Sequence, residues 1–195
     1  IGKLWDRLTQ TEAKRASSVQ KLPYQFISMD IDDNDFIYTL TGLTDSIWDV
    51  GTGQIRRLNP AGNNILKDKN GDNSDTLNFA DESDYKDDSD HPIMTNFNKL
   101  CVDSDGFVYA VDINYGHVFI YDNLCNSFAV FGGGFGSGNQ IGTFVRPESI
   151  AIHGDMLYVL DSLDLSVTVF KLTDYGKLYK QAQTLTLDGK YTEAV

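Results

Sequence analysis

The chain has little positive charge, few cysteines and histidines, and no long apolar run, and each shortage removes a class of function. Sixteen lysines and arginines stand against 28 acids in 195 residues, giving a net charge of −12. A surface of that sign repels phosphate backbones, so nucleic acid is excluded as an expected partner. Two cysteines, Cys101 and Cys125, are too few for a disulfide framework. Cys101 falls inside an apolar run and reads as a small buried residue. Cys125 falls in an expected hairpin turn, and nothing in the spacing requires a bridge between them. His91, His117 and His153 are scattered without zinc-ligand spacing, and no nucleophile and base can be paired. No apolar run approaches the roughly 18–20 residues of a membrane helix. No secretory signal opens the chain, whose first residue is Ile1. It reads as a fragment or a processed chain, so the missing signal says little about the parent.

What is present is repetition. Residues 99–112 run as an apolar strand, an acidic turn at Asp103 to Gly106, and a second strand carrying Tyr109. Residues 149–161 repeat the unit around Tyr158 with a turn one residue shorter, and residues 28–40 repeat it loosely around Tyr38. Each is a hairpin signature, and hairpins recurring at a period identify an architecture rather than a ligand. Tyr109 and Tyr158 lie 49 residues apart, Tyr38 and Tyr109 71 apart. Removing an insertion at 67–91 brings both intervals near the 40–50 residues of a four-stranded propeller blade. Aromatic residues make up 12% of the chain, as a strand-rich interior requires.

The second half of each unit also aligns. A strand follows Asp112 at 118–122 and follows Asp161 at 167–171, with 54–59 in the same place in the first copy. Fourth strands are expected at Ile65-Leu66, at 128–131 and, less clearly, at Leu178-Tyr179. The N-terminal segment 1–22 is polar, and Leu4, Trp5 and Leu8 fall at helical spacing before Pro23. The tail from 177 changes character, with Leu178, Ala182 and Leu185 on one side of an expected helix. The organisation is therefore a helical segment 1–22, blades over 23–175 (about 26–66, 97–131 and 147–180, with the insertion 67–91), and a helical segment 177–195.

The link from Phe131-Gly132-Gly133-Gly134 to Phe144-Val145-Arg146-Pro147, entering the strand at Ser149-Ile150-Ala151, resembles the NHL repeat. So does Asp105-Gly106 before the tyrosine strand, although the first copy has Asp35 where Gly106 stands. The resemblance spans about 26–170. It implies an all-β fold, a β-propeller of which about three blades, half of a six-bladed ring, lie here with short helices at both ends. Leu187-Asp188-Gly189-Lys190-Tyr191-Thr192-Glu193-Ala194 resembles the turn of a tetratricopeptide repeat. The combination is similar to a group of bacterial NHL proteins, extracytoplasmic or membrane-tethered.

In a propeller, the links between second and third strands and from each blade to the next share one face, where repeat scaffolds bind their partners. On this reading that face collects the links at 41–53, 113–116, 162–166 and 132–146 and the insertion. The insertion carries nine acids, among them Asp81, Glu82 and Asp84, against three lysines, half the net charge of the chain. A solvated surface loop is the plain interpretation; an anchor for a basic partner is the functional one. Asp68, Asn70 and Asp72 imitate the start of a calcium loop, but Phe79 stands where a closing glutamate is needed. Trp48 lies in the 41–53 link, either packed over a sheet edge or stacking on a partner. Asp112 and Asp161 end equivalent strands and either hold turns or face a partner. The glycines of 133–138 lack the lysine of a phosphate loop.

The expected function is a non-catalytic binding and assembly scaffold, holding a protein or cell-envelope partner through Trp48, Asp81, Glu82, Asp84, Asp112 and Asp161, without a cofactor. A metal-dependent lactonase- or lyase-like enzyme acting on a sugar-type substrate is the alternative implied by the resemblance. It requires acids pointing inward from the innermost strands, where Asp30 stands against Cys101 and Ala151. Calcium-dependent adhesion through the insertion is the other. An open fan of blades leaves two uncovered faces, so contact with a missing half or self-association is expected.

Overall fold

The computed structural model describes residues 26–41, 55–66, 95–124, 126–133, 140–187 and 189–194. Among these residues the chain is mostly β, with three antiparallel sheets and one C-terminal helix. Sheet I contains β1 (Phe26–Ile31), β2 (Ile37–Thr41) and β3 (Ile55–Leu58). Sheet II contains β4 (Phe97–Val102), β5 (Val108–Asp112), β6 (His117–Tyr121) and β7 (Ser127–Gly132). Sheet III contains β8 (Pro147–His153), β9 (Met156–Asp161) and β10 (Ser166–Lys171), and α1 (Asp174–Leu187) follows. Each strand pairs with its neighbour in sequence, so each sheet is a simple meander.

The repeated residues explain the repeated turn. Asp32 Oδ1 accepts from the amides of Asn34 and Phe36, and its Oδ2 accepts from the Tyr38 hydroxyl at 3.2 Å. Asp103 does the same with the amides of Asp105 and Phe107 and the Tyr109 hydroxyl at 2.9 Å. Both carboxylates are buried, which they tolerate because their oxygens are filled by hydrogen bonds.

Register repeats as well. Tyr38 stands between Asp30 and Arg57, Tyr109 between Cys101 and Ile120, and Tyr158 between Ala151 and Val169. Equivalent residues therefore face the same way in every sheet. Tyr38, Leu40 and Ile55 pack on Leu100, Val108, Ala110 and Phe119 of sheet II. From its other side sheet II presents Tyr109, Val111 and Val118 to Ile150, Leu157 and Val159 of sheet III. The innermost strands are tied directly. The Leu100 amide donates to Ser28 Oγ at 3.3 Å, the Val102 amide to Asp30 Oδ2 at 2.9 Å, and Asn98 Nδ2 to the Glu148 carbonyl at 3.0 Å. The result, among the described residues, is a propeller-like stack of three sheets that does not close into a ring.

Two expectations about strands fail. Leu178 and Tyr179 belong to α1 rather than to a fourth strand, because Thr173 Oγ1 accepts from the Gly176 amide and Asp174 sits in the first turn. In sheet I the Asn59 turn returns the chain to a single bridge between Leu58 and Asn64, and no full strand follows among the described residues. Only sheet II has four strands among them. The expected helix at 1–22, Trp48, Cys125 and the insertion with Asp68, Asn70, Asp72, Asp81, Glu82 and Asp84 lie outside the described residues. No helix among the described residues is long and apolar enough to cross a membrane.

Candidate functional site: two turn rims and a docked helix

The turns at 112–116 and 161–165 and the links entering β4 and β8 form one rim. Asp112 and Asp161 hold it together. Asp112 Oδ1 accepts from the amides of Asn96 and Asn114 at 2.9 and 3.0 Å. Asp161 Oδ2 accepts from Val145 and Arg146, and its Oδ1 from Leu163 and Asp164, at 2.6 to 3.0 Å. Each aspartate thus locks the incoming link to the turn beside it. Both are buried, with 0% and 2% of their surface exposed, so neither presents a carboxylate at the surface. Their ionisation differs. Burial raises Asp112 above the usual carboxylate range despite its amide partners. At Asp161 burial also raises the value, but four amide hydrogen bonds outweigh it and the net shift is downward.

The opposite rim carries the turns begun by Asp32, Asp103 and Asp122, and α1 docks on it. Lys180 Nζ lies 2.7 Å from both Asp103 Oδ2 and Asp105 Oδ2, and 4.8 Å from the centre of the Phe107 ring. Gln183 Nε2 donates to Asp122 Oδ2 at 3.0 Å, Lys177 pairs with Asp155, and Tyr179 packs on Phe128 with ring centres 5.0 Å apart. Sheet I carries the same device with a cation from its own strand β3. Arg57 sits 4.0 Å over Phe36, with its guanidinium 3.8 Å from Asp32 Oδ2. The strand residue equivalent to Arg57 in sheet II is Ile120, paired with Tyr109 as Arg57 is with Tyr38. Lys180 therefore supplies from the helix the cation that β6 lacks.

Burial pulls the Lys180 pKa down, but the hydrogen bonds to Asp103 and Asp105 overcome it and the net value is raised. The resulting stabilisation is fully present below the ordinary lysine value of about 10.4. It is lost only as pH rises through the higher folded value. Lys180→Met keeps the aliphatic stem and removes the charge. It is expected to cost about 1–3 kcal/mol and to speed amide exchange across α1 at pH 7. Hydrogen-exchange mass spectrometry checks this, and the wild-type helix stays protected throughout pH 6–9.

A cavity of about 260 Å³ lies beneath the helix, between sheets II and III, lined by Phe131, Ile152, Leu157 and Phe170 together with Asp103 and Lys180. That is below the ~300–1,000 Å³ of small-molecule sites, and its polar groups are already paired with each other. Cys101 offers no nucleophile. Burial, with Asp30 and Asp103 nearby, pushes its thiol up to about 12. In a Cys125→Ser background, Cys101 is expected to resist a thiol reagent at pH 8 until the chain is denatured.

Of the residues singled out from sequence, the structure describes Asp112 and Asp161. It places them at equivalent corners of one rim rather than together in one site. Asp30, the inward acid, bridges β1 to the Val102 amide. No group of three or more metal-ligating side chains occurs among the described residues. Sequence reasoning missed Arg57, Lys180 and Gln183. The signal was the apolar Ile120 in the register of Arg57, which leaves a cation to come from elsewhere.

No family model matches the chain, and no curated protein matches it. Solved structures are similar at low identity. The computationally designed Ika4 protein is 13% identical with a TM-score of 0.39, over 80% of this chain and 96% of that one. A PQQ-bound aldose sugar dehydrogenase from Streptomyces coelicolor is 15% identical with a TM-score of 0.43, over 78% of this chain and 44% of that one. A structural genomics protein of unknown function from Bacteroides thetaiotaomicron is 14% identical with a TM-score of 0.38, over 74% of this chain and 35% of that one. The chain thus spans less than half the length of the latter two.

Proposed function

We propose that this chain is part of an NHL-type propeller that acts as a non-catalytic binding and assembly scaffold, holding a protein or cell-envelope partner against an acidic loop rim. The observation that supports this most is the use made of the repeat's carboxylates. Asp112 and Asp161 on one rim, Asp32 and Asp103 on the other, and Asp30 on an innermost strand all accept backbone amides. Acids committed to the backbone position loops; they do not transfer protons. The recognition charge then resides in the insertion at 67–91, with nine acids against three bases. A basic segment is the partner such a field attracts. An extracytoplasmic or membrane-tethered location accompanies this reading on the strength of the NHL resemblance.

Calorimetric titration with a Lys/Arg-rich peptide tests it. Binding is expected at low salt, weakening as salt screens the field, and lost in the combined variant Asp81→Asn, Glu82→Gln, Asp84→Asn. Absence of binding at low salt, or full retention by the variant, defeats the proposal. A parallel calcium titration with tight saturable binding would favour metal-dependent chemistry or adhesion instead.

A further inference from the structure

The repeat lets one seam between sheets be compared with the next. Between sheets I and II the outer part of the seam is closed by Arg57. Its guanidinium lies 4.0 Å from the centre of the Phe36 ring and 5.5 Å from that of Tyr38, and Nη1 donates across to the Asn123 carbonyl at 2.8 Å. A long side chain of sheet I thus reaches the backbone beyond sheet II. Between sheets II and III both partners of that contact are replaced. Ile120 stands in the register of Arg57. Leu172 stands in the place of Asn123, two residues beyond Phe170, which pairs with Leu157 as Tyr121 pairs with Val108. Ile120 has no guanidinium to send across, and Lys180 restores the charge only from α1 on the rim. The position that Arg57 fills in the first seam is open in the second. The cavity of about 260 Å³ lies there, with Ile120 and Leu172 both in its lining.

We propose that this cavity binds a neutral molecule consisting of a single aromatic ring. Both sheets contribute apolar walls, Ile120 and Phe131 from sheet II and Ile152, Leu157 and Phe170 from sheet III. Phe131 and Phe170 approach with ring centres 4.8 Å apart and planes at 58°. They offer both ring faces and ring edges, against which a third ring packs in the tilted arrangements that aromatic groups prefer. Phe131, Ile152 and Phe170 are only partly buried, so a guest covers apolar surface that the fold leaves uncovered. The polar groups select against charge. The Tyr109 hydroxyl and Lys180 Nζ both donate to Asp103 Oδ2, so a charged ligand either breaks these contacts or gives up its water without a partner. An apolar cavity of about 150 Å³ holds benzene, and about 260 Å³ leaves room for a ring with one small substituent. The site lies between two sheets and is separate from the acidic loop rim, so it does not depend on a basic partner.

Titration of the wild-type chain with toluene, followed by methyl NMR, tests this. Saturable shifts are expected at the methyls of Ile120, Ile152, Leu157 and Leu172, half complete near ~1 mM, which is within reach of so few ligand atoms. The methyls of Leu40, Ile55 and Leu100, packed between sheets I and II, should not move. Two variants close the cavity by different means. Ile152→Phe fills it with a ring of its own, and Ile120→Arg gives the second seam the side chain that closes the first. Each should abolish the Leu157 response, and circular dichroism of each confirms that the sheets persist. If one variant does not fold, the other still decides. Absence of any shift by ~5 mM, several times the expected half-saturation, overturns the proposal. So do shifts that grow linearly and spread to exposed residues such as Leu165, because those report partition onto the surface. A folded variant that keeps the Leu157 response overturns it as well.

Discussion

Asp161→Asn lowers stability by about 2–4 kcal/mol at pH 7, the scale of losing charge-assisted hydrogen bonds, while Asp112→Asn changes it by about 1 kcal/mol or less. The residues occupy the same place in successive sheets, so their difference is instructive. Both oxygens of Asp161 accept two amides each. An asparagine turns an NH₂ group toward two of those donors, leaving them unpaired and repelled. Asp112 accepts the Asn96 and Asn114 amides through Oδ1, while its Oδ2 is buried without a hydrogen-bond partner. There a neutral amide relieves the cost of burying charge, which offsets the cost of burying the new NH₂.

The pH dependence has opposite sign at the two sites. The folded pKa of Asp161 is depressed. Its contribution is present above the ordinary carboxylate value of about 4 and disappears as pH falls through the folded value. Wild type and Asp161→Asn therefore converge in acid. The folded pKa of Asp112 is raised, so its contribution is largest in acid and is lost as pH rises through that value. Wild type loses stability against Asp112→Asn on going to neutral pH. Urea unfolding of the three chains between pH 3 and 7 measures both trends. Parallel curves would mean that the carboxylates do not carry the rim.

Gly132→Ala is expected to cost about 2–5 kcal/mol, from left-handed backbone strain of ~1–2 kcal/mol and overpacking of ~1–3 kcal/mol. Gly132 has φ +89°, and a methyl there would stand 2.6 Å from the Gly116 carbonyl oxygen and 3.0 Å from the Phe144 ring. None of these can retreat freely. The Gly116 carbonyl accepts from the Gly133 amide at 2.7 Å, and Phe144 is 2% exposed between sheets II and III. Gly154 is the control. It has φ +57° but nothing within 4 Å of the added methyl, so Gly154→Ala should lose only the strain, about 1–2 kcal/mol. Comparison of urea midpoints decides between conformation alone and the close approach of the link. Equal losses would mean that the Gly116–Phe144 contact contributes nothing.

The hairpins were legible in the sequence because their information is local. Asp32 to Tyr38 and Asp103 to Tyr109 each close a turn with residues at most six apart, and alternation places the intervening aliphatics on defined faces. The same locality made Asp112 and Asp161 recognisable as turn holders, though not as residues that also clamp a link sixteen positions away. The fourth strand of sheet III was misread because Leu178 and Tyr179 suit a strand as well as a helix. The Thr173 cap decides between them. The docking of Lys180 was invisible, since it joins residues 77 apart and depends on Ile120 occupying the register of Arg57.

The order of residues alone therefore determined the repeat, its turns and which side of each strand is apolar, because these depend on neighbours within a few positions and on a period of two. Tertiary structure decided which carboxylates are spent on amides and where α1 rests. Those outcomes depend on side chains from distant segments competing for the same buried space, and no local pattern records who arrives there first.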